Sequence, residues 1–338
     1  VHRRNLNNPQ DYYFEQLPEE PRQQLETPVL YFYAPSIRDV QVRVSFPQGI
    51  VGEWFPEATS YVPAIGGMTH IAEGTAVWNL TLDPGIAPGS FNPVTPTEIW
   101  APSRHVASTP VRVQVAPSLV EEREQFLFYR GLGTFVAPVT ITTYPDGTLR
   151  IHNGSSDDIG SVFLLFSGNG GGSFASLGRM GAKSEISTTT ANVQLSTTDF
   201  MQKAQGGLFD ALGATGLYAD EARAMVDTWT RSWFGNPGLR ILYLAPRRWT
   251  DGWLPTEVTP APSAFVRTLV GRIEVMTPLE EADLVSHIQT ASQSHTPISI
   301  ASLGRFAESR LERAVELLTD PQAKALAETT RQAVHARK

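Results

Sequence analysis

The spacing of apolar and polar residues changes several times along the chain, and each change marks an element. Val40-Gln41-Val42-Arg43-Val44-Ser45-Phe46 alternates strictly, as a strand must when one face meets a core and the other meets water. Val29-Leu30-Tyr31-Phe32-Tyr33 is apolar throughout and follows Pro28, which predicts a buried strand. Pro47-Gln48-Gly49 predicts a turn into a strand over 50–55. Alternation returns at 77–82, with Trp78, Leu80 and Leu82 on one face, and again at 110–115. Strands at this spacing without intervening helices predict an antiparallel sandwich over 26–118.

A second β block runs over 119–276. Phe126-Leu127-Phe128-Tyr129 predicts a buried strand. Segments 139–143 and 148–152 flank Pro145-Asp146-Gly147, a hairpin signal. Another buried strand is predicted at 161–166, followed by a Gly-rich tip at 168–172. The period then lengthens to that of a helix. Ala222, Met225, Val226, Trp229 and Trp233 share one face, Asp220 and Glu221 suit the positive N-terminus, and Gly235-Asn236-Pro237 ends the helix. A helix over 199–214, weakened by Gly206 and Gly207, precedes it. Strands resume at 239–244 and 267–276, so the helical stretch at about 199–234 reads as an insertion within one sheet.

From residue 277 the pattern is helical. Thr277-Pro278-Leu279-Glu280 is a capping box with proline in the first turn, and Leu284, Val285, Ile288 and Ala291 form the apolar face behind it. Leu311, Ala314, Val315 and Leu318 mark a second helix over 304–318, and Asp320-Pro321 opens a third that ends near His335. Residues 1–25 are polar and punctuated by proline, which predicts an N-terminal arm. The fold class expected is mainly β, or α+β. Two antiparallel β-sandwich-like domains are expected, with a helical insertion in the second and a helical C-terminal segment over 277–338.

Composition narrows the function classes. Over 338 residues, two or three domains are expected. A net charge of −7 with no basic run argues against nucleic-acid binding, which needs a concentrated cationic surface. The absence of cysteine excludes a disulfide framework, a thiolate zinc site, an iron–sulfur cluster and a cysteine nucleophile. It also fits an exported bacterial protein that avoids mispaired thiols. The first residue is Val1 rather than methionine, which implies removal of a signal peptide or another leading segment and leaves room for a lipid anchor there. The longest strongly apolar run, 162–166, is far below the roughly 20 residues of a transmembrane helix. The expected location is periplasmic, outer-envelope or extracellular.

No local motif carries chemistry. Lys183-Ser184 follows Ala182 instead of the glycine of a phosphate-binding loop. Gly171-Gly172-Ser173-Phe174-Ala175 lacks the final glycine of a nucleophile elbow and the strand-to-helix context that motif needs. The histidines at 2, 70, 105, 152, 287, 295 and 335 show no metal-ligand spacing. Asp157-Asp158, Glu121-Glu122 and Glu280-Glu281-Asp283 read as solvated turns and element starts. Trp249 and Trp253, beside Arg247, Arg248 and Asp251, read as packing residues before they read as a sugar or partner platform. No catalytic residue, metal or cofactor is predicted.

Several segments resemble a family of uncharacterised exported bacterial proteins. They are Glu26-Thr27-Pro28-Val29-Leu30-Tyr31-Phe32-Tyr33, then Val44-Ser45-Phe46-Pro47-Gln48-Gly49 with Glu53-Trp54-Phe55-Pro56. Gln125-Phe126-Leu127-Phe128-Tyr129-Arg130-Gly131 follows, with the helix end at 229–234 and Leu242-Tyr243-Leu244-Ala245-Pro246-Arg247. The resemblance covers most of 26–276 and implies export and a shared fold, with no activity attached. The expectation is a non-enzymatic envelope or extracellular protein that acts through a protein partner or self-association, with Trp54, Tyr129 and Arg130 as contact candidates. The alternatives are a secreted hydrolase with a site assembled from distant loops, and a carbohydrate- or small-ligand-binding module.

Overall fold

Strand pairing follows the hydrophobic pattern closely. The computed structural model describes residues 2–3, 23–25, 29–63, 73–91, 93, 95–115, 120–168, 170–189 and 194–335. Most of the expected N-terminal arm lies outside them. The protein is mainly β with a helical C-terminal segment, and the strands among the described residues form four sheets.

The first sheet orders β1 (His2–Arg3), β5 (Gly49–Phe55), β10 (Leu127–Gly133) and β2 (Gln23–Leu25), with β3 (Val29–Leu30) also on β10. All of these pairs are antiparallel. The second sheet orders β18 (Thr256–Thr259), β4 (Arg38–Phe46), β7 (Gly74–Leu82), β8 (Val111–Val115) and β9 (Val120–Glu124), with β6 (Ser60–Val62) on β7. The third orders β16 (Leu195–Ser196), β14 (Gly171–Met180), β13 (Ile159–Gly168), β17 (Gly238–Leu244) and β19 (Val270–Val275). The fourth is β11 (Val139–Thr143), β12 (Thr148–Asn153) and β15 (Glu185–Thr189). Asp146 caps the expected hairpin turn between β11 and β12 by accepting the Thr148 amide at 2.9 Å.

The first two sheets make a sandwich. Val40, Val42, Val44 and Phe46 of β4 and Ala76, Trp78, Leu80 and Leu82 of β7 meet Val51 and Trp54 of β5 and Leu127 and Tyr129 of β10. Register pairs large with small: Phe46 faces Gly74 and Trp78 faces Val42. The buried Trp78 indole donates to the Pro56 carbonyl at 2.9 Å, which removes the penalty of an unpaired N–H. On the opposite face of the first sheet, Phe55, Phe126 and Phe128 pack with Trp100. A strand covered on both faces cannot alternate, which is why 126–129 reads as an unbroken apolar run.

Helices cover one face of the third sheet. α1 (Thr197–Gly213) and α2 (Ala219–Trp229) lie between β16 and β17 in sequence, as an insertion within one sheet. Phe200, Ala204, Leu208 and Leu212 recur every four residues and pack with Phe163, Leu165, Leu242 and Leu244. A π-helical turn, Thr230–Phe234, extends α2 and stacks Trp233 on Trp229 at 4.6 Å. The buried Arg240 guanidinium donates to the carbonyls of Trp233, Asn236 and Pro237, a cation at the electronegative end of that helix. α3 (Arg247–Trp253), which the pattern did not announce, follows β17.

The chain divides into two compact units. One contains Val1–Val139, Asn153–Glu185 and Val193–Ile273, and the other Thr140–His152, Ile186–Asn192 and Glu274–Lys338. In the second, α4 (Pro278–Gln293), α5 (Ile300–Leu303), α6 (Ala307–Leu317) and α7 (Pro321–His335) share an apolar core that includes Ile288, Leu311, Ala314, Ala323 and Ala327. The capping box forms as expected: the Thr277 amide donates to Glu280 at 2.8 Å and the Glu280 amide donates to the Thr277 hydroxyl at 3.3 Å.

The first sheet depends on close backbone approach. β10 is bulged between Arg130 and Gly131, and a Cβ at Gly131 would run into the Ile50 carbonyl and sit 2.8 Å from the Phe46 ring. Gly131→Ala is expected to lower the urea midpoint by the equivalent of about 2–3 kcal/mol with an unchanged slope. A midpoint equal to that of the parent chain contradicts this packing.

Candidate functional site

The three residues nominated from sequence do come together. Tyr129 pairs across the β5–β10 ladder with Trp54, and Arg130 with Glu53. Two of the three face inward. Trp54 and Tyr129 are each 2% exposed. Trp54 lies on Tyr61 at 4.7 Å and donates to Glu57 at 3.3 Å. Tyr129 meets Phe46 and Trp78 edge-on or tilted, and burial raises its hydroxyl pKa against the pull of Arg267 and Thr256. Arg130 is half-buried and pairs with the buried Glu53 carboxylate. These placements describe packing and charge pairing inside the sandwich.

The other motifs also resolve into structure. Gly168 and Gly171 close the β13–β14 hairpin, and Asn169 between them lies outside the described residues. Ser173 is buried within β14, opposite Phe166, and not at a strand-to-helix turn. Asp157 accepts the Trp249 indole at 3.0 Å, and Asp158 pairs with Arg179 and accepts the Ala182 amide at 2.7 Å. Trp253 stacks on Phe135 at 4.7 Å. His105, His152, His287 and His295 are exposed. His70 and the side chains of His2 and His335 lie outside the described residues. Among the described residues, no group of three or more histidine, aspartate and glutamate side chains is placed to hold a metal ion.

A different constellation converges where α2 begins. The 31–33 segment, expected as strand, leaves the ladder after Leu30. Its backbone pairs instead with Thr109: the Thr109 amide donates to the Phe32 carbonyl at 2.6 Å, and the Ala34 amide donates to the Thr109 hydroxyl at 2.9 Å. Released from the sheet, Tyr33 turns outward and is 47% exposed. Its hydroxyl donates to Glu221 Oε1 at 3.0 Å. Glu221 Oε2 accepts the Tyr218 amide at 2.7 Å. Asp220 accepts its neighbour's amide at 3.0 Å through Oδ1 and the Ala107 amide at 2.8 Å through Oδ2. The two carboxylates therefore satisfy orphan donors at the helix start and tie α2 to the segments around Tyr33 and Ala107.

The electrostatics follow from this arrangement. Burial raises the Glu221 carboxyl pKa above its ordinary value, the hydrogen bonds from Tyr218 and Tyr33 oppose that, and Asp220 adds to the rise. Burial and the Glu221 charge push the Tyr33 hydroxyl upward. Tyr31, beside Ser103, is shifted the same way, chiefly by burial. Tyr218 is 60% exposed and meets Tyr33 edge-to-face, with ring centroids 4.9 Å apart. An exposed aromatic pair thus rests on a carboxylate. Asp220 and Glu221 are legible in the sequence as helix-start residues, but nothing local to 31–33 marks one ring of that run as exposed.

No protein-family model matches the chain, and a search of curated proteins finds no match.

Glu221 also sets a pH dependence with a definite sign. A carboxyl whose folded pKa is raised binds its proton more tightly in the folded state, so its contribution to stability declines as pH rises from the ordinary carboxylate range through the raised value. Glu221→Gln removes that decline. Relative to the parent chain, the variant is expected to gain stability progressively as pH rises above about 4.5 and then level off, measured by urea unfolding at several pH values. A difference that stays flat, or moves the other way, contradicts the buried placement of this carboxylate.

Proposed function

We propose that this is a non-enzymatic, exported bacterial protein of the envelope or extracellular space that acts by binding another protein through the face built by Tyr33 and Tyr218. The exposed tyrosine pair carries this reading. Tyrosine is enriched at protein interfaces because it offers a large, rigid contact area with few rotatable bonds and a polar tip. Here the Tyr33 tip is already held by Glu221 and the two rings brace each other, so little side-chain entropy remains to be lost on binding. Val266, 45% exposed, lies beside Gly216, two residues before Tyr218.

Export is supported by the absence of cysteine. No helix among the described residues is long and apolar enough to cross a membrane.

The test places a photo-crosslinking residue at position 218, and at the exposed Glu257 as a control, and presents each chain to envelope and extracellular fractions of the native source. One reproducible adduct at 218, absent at 257 and abolished by Tyr33→Ala, supports the proposal. An adduct of twice the chain mass identifies the partner as a second copy, which light scattering then follows with concentration. No adduct at 218, or the same adducts at both positions, refutes it.

A further inference from the structure

The chemistry around the tyrosine pair specifies what it contacts. Asp220 and Glu221 are adjacent carboxylates, and among the described residues neither has a lysine, arginine or histidine nitrogen within ion-pair distance. Their partners are backbone amides and the Tyr33 hydroxyl. The nearest cation in sequence, Arg223, lies over the Phe209 ring at 4.5 Å instead. The positive end of α2 supplies only about half a charge against two carboxylates, so the net local charge remains negative. Each of the four carboxylate oxygens accepts one hydrogen bond, and a carboxylate offers about four lone-pair sites, so capacity for further donors remains. Above these groups stand two exposed aromatic rings at 4.9 Å, whose faces attract cations.

Resting on the binding reading above, we infer that the partner presents an arginine side chain to this face. Its guanidinium stacks on Tyr33 or Tyr218 and directs N–H donors toward the Asp220–Glu221 carboxylates. Arginine fits better than lysine because a planar, weakly hydrated guanidinium stacks and donates at the same time, whereas an ammonium is a strongly hydrated point charge. The occupant is a basic segment of a protein, and charge complementarity with the two carboxylates selects it.

The probe is a short peptide carrying two arginines separated by glycine, compared with the same peptide carrying citrulline, which keeps the shape and loses the charge. Tyrosine ring resonances of the full chain report on Tyr33 and Tyr218. The arginine peptide is expected to shift both with a saturating curve, and the citrulline peptide to bind about tenfold more weakly. Tyr218→Ala and Asp220→Asn should each weaken the arginine peptide several-fold. Their circular dichroism and thermal midpoints show whether they remain folded. If Asp220→Asn does not fold, Glu221→Gln serves as the charge-removing variant. Equal affinity for the two peptides, no shift with either at millimolar concentration, or arginine binding unchanged by the variants overturns the inference. The crosslinking result is independent of this one. An adduct at 218 without arginine preference leaves the binding face standing and removes the cation, whereas absence of the adduct removes the face itself.

Discussion

One carboxylate holds the candidate site in place. Glu221 receives the Tyr33 hydroxyl on one oxygen and the amide of Tyr218, the residue just before α2, on the other. Its neighbour Asp220 takes the Ala107 amide from the loop before β8. The start of an inserted helix is thereby fastened to segments that precede β4 and β8 in the sandwich. Hydrogen bonds to charged groups contribute about 1.5–3 kcal/mol each where they are shielded from water. This is enough to decide whether a helix end and a loop keep a single relative position. Exposure of the tyrosine pair follows from that fastening. Glu221 restrains the Tyr33 ring through its hydroxyl, and Tyr218 follows as the residue just before α2.

The remainder of the larger unit supplies the rigidity this arrangement needs. β5 and β10 are buried on both faces and serve two apolar clusters at once, so the segment carrying Tyr31 and Tyr33 leaves the sheet from a well-packed origin at Leu30. The 3₁₀ turn Ala101–His105 packs against α2, and the bidentate pair of its Arg104 with the fully buried Glu124 anchors that turn to β9. On its other flank, the Trp229–Trp233 stack and the Arg240 cap hold the far end of the same helix to the third sheet. Side chains positioned by elements of this kind have little conformational freedom left to lose.

Most of the fold was legible because single faces were being buried. Strict alternation at 40–46 and helical spacing at 222–233 each report one apolar face, and β4 and α2 with its π-helical extension appear where those patterns lie. The capping box at 277–280 named its helix start because its hydrogen bonds are local. β14 is not legible because its glycines and small residues carry little hydrophobic signal, and α3 is not because seven residues are too few to show a period. The site was the least legible part. Trp54 and Tyr129 drew attention as large aromatics, yet size also fits a residue for a core, and both are buried. Tyr33 sits in an apolar run that reads as buried, and only its exchange of a ladder partner for Thr109 turns it outward. That exchange joins residues 75 apart in sequence, and the hydroxyl bond that fixes the ring joins residues 188 apart. No local pattern encodes either.

The claim that Glu221 organises this face is tested most directly by a double-mutant cycle between Tyr33→Phe and Glu221→Gln, with stability measured by urea unfolding at neutral pH. A hydrogen bond between a tyrosine hydroxyl and a partly buried carboxylate predicts a coupling energy of about 1–2 kcal/mol between the two substitutions. A coupling near zero would mean that the two side chains do not depend on each other, and the account of an organised tyrosine face would fail with it.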